Sequence, residues 1–559
     1  MSDDPVTPCR RTGHTPAGSL NPLRAEEGER SGSIQLKEKP LPSPPIEDHL
    51  PHGASLALLI LALGLSVFLV ALDNTIIATA IPKITDEFAS LGDVGWYGSA
   101  YLQTTAATQL CFGKLYTFLP IKSVFVSAIG FFELGSVLCG AAPTSTILVL
   151  GRGIAGVGNA GIFSGALIIM ANTIPLSKRP MYTGILAGMA GIASVAGPLL
   201  GGVLAEKLSW RWCFYINLPL GVVTLVMIIF RFQMPPTARA PPMPFLHRLS
   251  FLDPWGTLAF LPAVIALILA LQLGGSKYAW SSGPIVALLV VAGVLSATFI
   301  VIQLRTPPDK STIPPRILRQ RTIWSSALYA FCMGAAFNIV TFYLPLWLQA
   351  IRGVSAVKSG ILILPMIGAY VLGCILAGGL ISITGFPAPA MILSGALAAL
   401  GTGLLSTLRS SSSQTGPLPF EILTGLGVGI GMQQPILAAQ AALEPKDIAV
   451  GTAVIMFSQT LGGALFVSVG QVTFTSVLVA QLVKMVPGVD PAVILSTGAD
   501  SVKTVVGPAE LKGVLFAYNQ GLTRAFIVAL VVAGVATVAA CMVEWRSVKN
   551  KNIDHTSLA

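Results

Sequence analysis

The sequence predicts an all-α polytopic membrane protein, and three observations predict it. About 53% of its 559 residues are hydrophobic. Only 10% are charged, where soluble domains carry about 25%, which is too little to cover the water-facing surface of a chain this long. The apolar residues are also gathered into fourteen runs, and a bilayer-spanning helix needs about 20 such residues. In lipid a helix satisfies its backbone polar groups internally. The same totals exclude an ordinary soluble enzyme, a nucleic-acid binder and a disordered scaffold.

Taken in order, residues 1–53 are rich in Pro and charge and poor in aromatic side chains, so they cannot bury a core and read as a disordered cytosolic tail. Six apolar runs follow at roughly 54–82, 95–118, 121–142, 146–172, 181–205 and 211–232, which make a first unit over 54–232. The breaks between them carry Pro, Gly and charge, as at Lys178-Arg179-Pro180. Residues 233–322 form a linker holding two further runs, 254–273 and 283–304. Six more at 323–350, 357–382, 386–408, 417–442, 450–480 and 520–543 make a second unit over 323–545, with one long loop at 481–519. Residues 546–559 are a short tail.

An even number of spans leaves both termini on one side. With the N-terminus inside, the inner loops and C-terminal tail hold 16 Lys and Arg, and the outer loops hold 10. That bias predicts cytoplasmic termini. It also accounts for the net charge of +10 without any nucleic-acid partner. The seven Cys form no close pair and the five His form no cluster, so neither a metal site nor a cofactor is expected.

Four charges fall clearly inside spans rather than toward the ends of runs: Asp73, Glu133, Arg152 and Arg524. Each costs at least about 2.5–3.5 kcal/mol there, which makes it a functional candidate. Asp73 and Arg152 lie at similar depth and are placed to pair. Glu133 lies near the middle of the third run. A carboxylate that alternates between apolar surroundings and a nearby Arg can load and release a proton; the alternative is a static ion pair. Arg524, near the outer end of the last run, is expected to reach the interface. Among uncharged polar residues, Gln103, Asn159, Asn338, Gln433, Gln434 and Gln459, with Phe337 and Tyr343, are candidates to line a cavity for an amphipathic solute. Taken singly they suit interhelical hydrogen bonds. Ala193, Gly197, Gly201 and Ala205 recur every four residues as a smooth helix face, with Pro198 and Gly202 beside it. No phosphate-binding G-x-x-x-x-G-K-[ST] loop is present, so a gradient-driven process fits better than a built-in ATPase.

Several segments, taken together and in this order, resemble one family. Leu72–Pro82 resembles the first-span signature of fourteen-span drug:proton antiporters of the major facilitator superfamily. Gly151–Gly158 resembles the fourth-span motif whose Arg is tied to proton transfer, and Gly197–Gly202 the fifth-span antiporter motif. Trp210–Pro219 is similar to the start of span six in that branch, and Phe132–Ser136 resembles fungal members in particular. One departure stands out. The segment Gly113–Lys122, which corresponds to a G-x-L-x-D-x-x-G-R-[RK] loop, lacks the Asp and most of the basic cluster.

The resemblance implies two six-helix bundles with two inserted helices between them, and alternating access around a central cavity. It implies proton-coupled efflux of small, largely hydrophobic compounds: toxins, drugs or the cell's own secondary metabolites. Asp73, Arg152 and Glu133 would be the proton-coupling residues, and Gly197, Pro198, Gly201 and Gly202 the conformational motif. The partners are a small-molecule substrate, protons and the lipid bilayer, and a monomer in the plasma membrane is expected. The competing reading is an importer or vacuolar transporter on the same fold, for a ferric siderophore or a basic amino acid. The Gly-Pro motif of the fifth run favours export.

Overall fold

The computed structural model describes residues 53–88, 93–231, 252–275, 278–308, 310–413, 415–496 and 506–549. The expected N-terminal tail lies outside these residues apart from Gly53. The first part of the linker, a piece of the loop 481–519 and the end of the C-terminal tail also lie outside them. Among the described residues no β-strand forms, and Gly274 and Tyr278 make an isolated bridge.

The apolar runs are helices. The first six are α1 (Ala54–Phe88), α2 (Val94–Phe118), α3 (Ile121–Gly140), α4 (Ser145–Thr173), α5 (Arg179–Lys207) and α6 (Asn217–Arg231). The inserted pair is α7 (Pro254–Leu273) and α8 (Gly283–Arg305). The second six are α9 (Arg321–Arg352), α10 (Ala356–Thr384), α11 (Pro387–Leu405), α12 (Leu418–Gly431), α13 (Ile448–Met485) and α14 (Pro508–Cys541). Among the described residues, thirteen spans are long and apolar enough to cross a membrane. The remaining helix, the 25-residue α2, is diluted by Gln103, Thr104, Thr105, Thr108 and Gln109.

Several helices outrun their apolar runs, because backbone hydrogen bonding continues where polar side chains are hydrated. α1 extends through Lys83, Asp86 and Glu87, α13 extends to Met485, and α14 begins at Pro508. Much of the expected loop 481–519 is therefore helix. The sixth run divides into a short helix, Trp212–Tyr215, and α6. The twelfth breaks after Gly431 and resumes as Gln434–Ala442. Pro435 has no N–H to offer the carbonyl a turn before it, so the break falls there.

In the first set α3 packs on α4, α1 on α5, α2 on α4, and α6 on α1 and α3. The second set repeats the pattern: α11 on α12, α9 on α13, α10 on α12, and α14 on α9 and α11. These are two six-helix bundles of one design. Without a hydrophobic drive in lipid, close packing supplies the attraction, and small residues allow it. At Gly158 of α4 a Cβ would stand 2.5 Å from the Phe132 backbone nitrogen of α3.

The bundles meet along α5–α10 and α2–α13. A Cβ at Gly184 would stand 2.8 Å from the Cys374 carbonyl oxygen, and one at Gly113 would stand 2.6 Å from the Ala453 Cβ. Arg179 donates to the Ile174 carbonyl (2.9 Å) and the Ala171 carbonyl of its own bundle, and to Gln440 Oε1 of the other (3.3 Å). All of these contacts lie at the end that carries the α2–α3 and α4–α5 connections. At the same end Arg316 forks onto Asp447 with two 2.8 Å bonds. The chain beyond α14 folds back there too: Val548 donates to the Gly385 carbonyl (2.9 Å). Val548 is buried in a small cluster with Leu176 of the first bundle and Ile381, Ala390 and Ala441 of the second.

The inserted pair is fastened by one carboxylate. Asp253 caps α7 in the left-handed region, at φ 48°. Its oxygens accept from the Gly256 N–H (2.8 Å), Gln303 Nε2 of α8 (2.5 Å), and the Thr312 N–H (3.1 Å) and hydroxyl (2.8 Å). α7 also packs against α2 and α13.

Candidate functional site

The site is built from α1, α2, α4 and α6, with α3 behind them. Asp73 and Arg152 form an ion pair, Arg152 Nη1 to Asp73 Oδ2 at 2.6 Å, and both side chains are sealed from solvent. The pair is held on all sides. Arg152 Nε donates to the Tyr97 carbonyl (2.9 Å), and its guanidinium lies 4.3 Å from the centre of the Tyr101 ring. Asn217 Nδ2 donates to the other oxygen of Asp73, Oδ1, at 2.9 Å and to Ser136 Oγ at 3.1 Å. The Tyr101 hydroxyl donates to the Val70 carbonyl of α1 (3.2 Å). Two groups in this network have no partner, Arg152 Nη2 and Asn217 Oδ1.

A polar chain runs outward from it. Tyr97 Oη and Ser145 Oγ are 3.0 Å apart, and Ser145 donates to Asp93 Oδ2 at 2.5 Å. Asp93 is half-buried at the start of α2, in the turn between α1 and α2.

The positions of Asp73 and Arg152 follow from local sequence. Small residues bring α4 onto its neighbours: a Cβ at Gly156 would overlap Thr104 and the Tyr101 carbonyl of α2. Thr104 and Thr105 then donate to the Gly153 (2.8 Å) and Gly156 (2.9 Å) carbonyls of α4. The fifth-span motif acts on the same helix as Asp73. Side chains at Gly197 and Gly201 would overlap Thr75 and Thr79 of α1, so these glycines let α5 lie on α1 beside the ion pair. Pro198 is exposed on α5, and Gly202 faces open space.

The remaining candidates are distributed. Glu133 sits between α3 and α6; a Cβ at Gly221 would overlap its Oε1, and neither carboxyl oxygen has a hydrogen-bond partner. Asn159 Nδ2 donates to Thr105 Oγ1 (3.1 Å). Gln103 donates to Gln272 of α7 (2.8 Å), so its amide serves the inserted pair, a consequence of where α7 packs that spacing alone does not carry. Tyr343 is fully buried, its hydroxyl donating to the Val467 carbonyl (2.8 Å), and so lies inside the α9–α13 packing. Phe337 stacks on Tyr370 at 5.2 Å, Asn338 is exposed, and Gln459 is half-buried. Gln434 donates to the Ile430 carbonyl (3.0 Å), while Gln433 is buried with Oε1 unpartnered. Arg524 is exposed on α14.

Residue-by-residue reading missed Tyr97, Tyr101, Ser136 and Asn217 as parts of the site. The signal available was that Asn217 opens α6 within the Trp210–Pro219 segment, and that Ser136 lies one helical turn from Glu133. Glu421, 2% exposed near the start of α12, was also missed, because a carboxylate at a run's edge reads as a loop residue. The second bundle carries an uncharged counterpart of the Asn217 junction. Asn519 of α14 accepts from Trp347 Nε1 of α9 (2.8 Å) and donates to the Leu408 carbonyl (3.0 Å).

The profile of the Major Facilitator Superfamily matches residues 63–467. The chain is 52% identical over 502 residues to the MFS-type efflux pump MFS1 of Arthroderma benhamiae, covering 90% of this chain and 94% of that protein. It is 48% identical over 491 residues to the efflux pump roqT of Penicillium rubens, covering 88% and 91%. It is 47% identical over 498 residues to the efflux pump aflT of Aspergillus parasiticus, covering 89% and 97%. Among solved structures, the human organic anion transporter MFSD10 superposes with a TM-score of 0.54 at 14% identity, covering 86% of this chain and 100% of that chain. A bacterial homologue of the lysosomal transporter Spinster, inward-facing and unoccupied, superposes at 0.52 with 16% identity, covering 88% and 98%. These two likenesses concern the fold.

Proposed function

The chain belongs to the major facilitator superfamily, and from that premise we propose that it is an efflux transporter in which proton movement at Asp73 and Arg152 drives alternating access. Its cargo is small, largely hydrophobic organic compounds, the cell's own secondary metabolites foremost. The efflux function accords with relatives named as efflux pumps along nearly their whole length. The observation that carries the coupling is the sealed Asp73–Arg152 pair.

With Asp73 ionised, the pair is neutral as a unit and its buried charges compensate each other. A proton on Asp73 removes that compensation and leaves a buried guanidinium, one nitrogen of which already lacks a partner. An uncompensated buried charge costs about 3–5 kcal/mol, which is ample to bias two packings of α1 against α4. α1 rests on the Gly197–Gly201 face of α5, and α5 faces α10 of the other bundle. A shift of α1 therefore reaches the interface where the bundles rock. The close packing at Gly113, Gly184 and Arg179 belongs to a state closed at the end assigned here to the cytoplasm. Access in that state would be from outside, where protons enter and cargo leaves.

The two bundles are taken as residues 54–232 and 323–545, acting as a monomer in the plasma membrane with both termini cytoplasmic. The test is accumulation of a fluorescent hydrophobic dye in cells expressing wild type, Asp73→Asn or Arg152→Ala at equal surface level, with and without a protonophore. Lower accumulation in wild type, lost with either change or with the protonophore, is expected. Efflux surviving all three would sink the coupling, and higher accumulation in wild type would reverse the direction.

A further inference from the structure

Glu133 stands apart from the ion pair yet shares its surroundings. Both carboxyl oxygens are buried and accept no hydrogen bond. On one side lies the backbone of α6 at Gly221, where any side chain would overlap Oε1. One turn back along α6 is Asn217, whose nitrogen holds Asp73 Oδ1 and Ser136 Oγ within 3.1 Å. One turn along α3 from Glu133 is Ser136 itself. Neighbours at such spacings have Cβ atoms about 5–6 Å apart. The α3–α6 seam thus carries two adjacent polar rungs, one ending at Asp73 and the other at Glu133.

Hydrogen-bond accounting distinguishes the two forms of this carboxyl. An ionised carboxylate accepts only, at about four lone-pair positions, and none of them is met. A protonated carboxyl needs one acceptor for its O–H. The rung beside it holds a buried acceptor that lacks a donor, Asn217 Oδ1, and a hydroxyl, Ser136, that accepts from Asn217. The charged groups of the elements packed on this face are few. α1 brings Asp73, which is within electrostatic reach of Glu133, and α4 brings Arg152. α6 has no titratable residue between Asn217 and Phe230, and the helix Trp212–Tyr215 brings Cys213 and Tyr215. α2 brings Lys114 only at its far end. Among the described residues the other cations of this face are engaged at the two ends of α3, Lys122 by the Ile229 carbonyl and Arg211 by Glu87 and the Gly140 and Ala142 carbonyls, and Arg152 is engaged by Asp73.

We propose that Glu133 is a second proton site of the transport cycle, kept protonated against Gly221 and exchanging its proton with Asp73 by way of Ser136. Glu133 makes no hydrogen bond to Ser136 in this state, so the exchange begins with its side chain turning to Ser136; the Glu133 O–H bond then breaks as Ser136 Oγ takes the proton, and the Ser136 O–H bond breaks as Asp73 gains one. One acid and one carboxylate trade places and no other reactant is needed. Asn217 acts as a positioning residue that holds both acceptors on one nitrogen. This rests on the coupling role of Asp73 and adds to it a carboxyl that stores the proton behind the ion pair.

Two measurements test it. The first is labelling of native membranes holding the full chain with dicyclohexylcarbodiimide, an apolar reagent that adds to protonated buried carboxyls, followed by peptide mass spectrometry. Modification of Glu133 is expected, and its absence would overturn the proposal. The second is Nile red efflux from cells across external pH 5–8. Glu133→Gln keeps the shape and a donor but cannot exchange, so loss of the wild-type pH dependence is expected, with Glu133→Asp restoring it. Gly221→Ala, which crowds the carboxyl without removing it, is expected to flatten the same profile should Glu133→Gln fail to accumulate. A wild-type profile in Glu133→Gln or Gly221→Ala, alongside an inactive Asp73→Asn, overturns the role of Glu133 and leaves that of Asp73 standing. Protonophore-insensitive efflux by wild type overturns both.

Discussion

Replacing Arg152 by Ala strands the Asp73 carboxylate in a place that no water reaches. Removing one partner of a buried pair costs about 3–5 kcal/mol, much of it the desolvation of the charge left behind. A lower melting temperature in detergent is therefore expected for Arg152→Ala and for Asp73→Asn. The double variant Asp73→Asn with Arg152→Gln removes both charges, and it is expected to recover most of the lost stability while remaining unable to couple. Equal melting of all four proteins would show that the pair contributes nothing to folding. Asn217→Ala removes the donor to Asp73 and Ser136 but no charge; a smaller loss, about 1–3 kcal/mol, is expected in the same assay.

At the scale of helices, what matters is how closely they approach. α5 lies on α1 because Gly197 and Gly201 have no side chains to meet Thr75 and Thr79. Gly201→Val drives a branched side chain into that contact. It is expected to abolish dye efflux at normal surface expression, whereas Gly202→Val, at a position with nothing within 4 Å, is expected to leave efflux near wild type. Equal effects of the two changes would remove the α1–α5 contact from the mechanism. The segment after α14 offers a second test. Val548 is 1% exposed in a cluster that joins Leu176 of one bundle to Ile381, Ala390 and Ala441 of the other. Val548→Asp places a charge there, and greater labelling of an introduced Cys at Gly113 by a membrane-permeant maleimide is expected as the end loosens.

For the whole molecule, the rocking of two bundles makes one contact decisive. Gly113 of α2 and Ala453 of α13 come close enough that a Cβ on the first would stand 2.6 Å from that of the second. Cys at both positions would set two Cβ atoms closer than the roughly 3.5–4.5 Å of a disulfide, so the pair can crosslink once the two helices ease apart by about 1 Å. Oxidation of the double variant Gly113→Cys with Ala453→Cys is expected to stop efflux and reduction to restore it, since the bundles can no longer part at that end. Undiminished efflux after complete crosslinking would mean that this end never opens. The closure there uses glycine packing, Arg179 on Gln440 and the Arg316–Asp447 fork. It does so without the Asp expected in the α2–α3 loop, where Thr117 instead donates to the Gly113 carbonyl of its own helix (2.9 Å).

The sequence by itself determined the class of molecule, the apolar runs that become its long helices and most of the residues at which charge enters the membrane, because transfer to lipid depends on composition along a run and on little else. It determined the pairing of Asp73 with Arg152 only as a matter of depth. Which side chains complete that pair, and which polar residues turn away from it, was decided by tertiary structure. Asn217 and Tyr101 reach the ion pair because α6 and α2 pack where they do, and Gln103 is drawn to Gln272 for the same reason. A polar side chain inside a span takes its partner from the neighbouring helix, and neighbours are set by contacts between residues far apart in the chain. Glu133 shows both limits at once: its cost in lipid is legible in the sequence, and its place one turn from Asn217 appears only when α3 lies against α6.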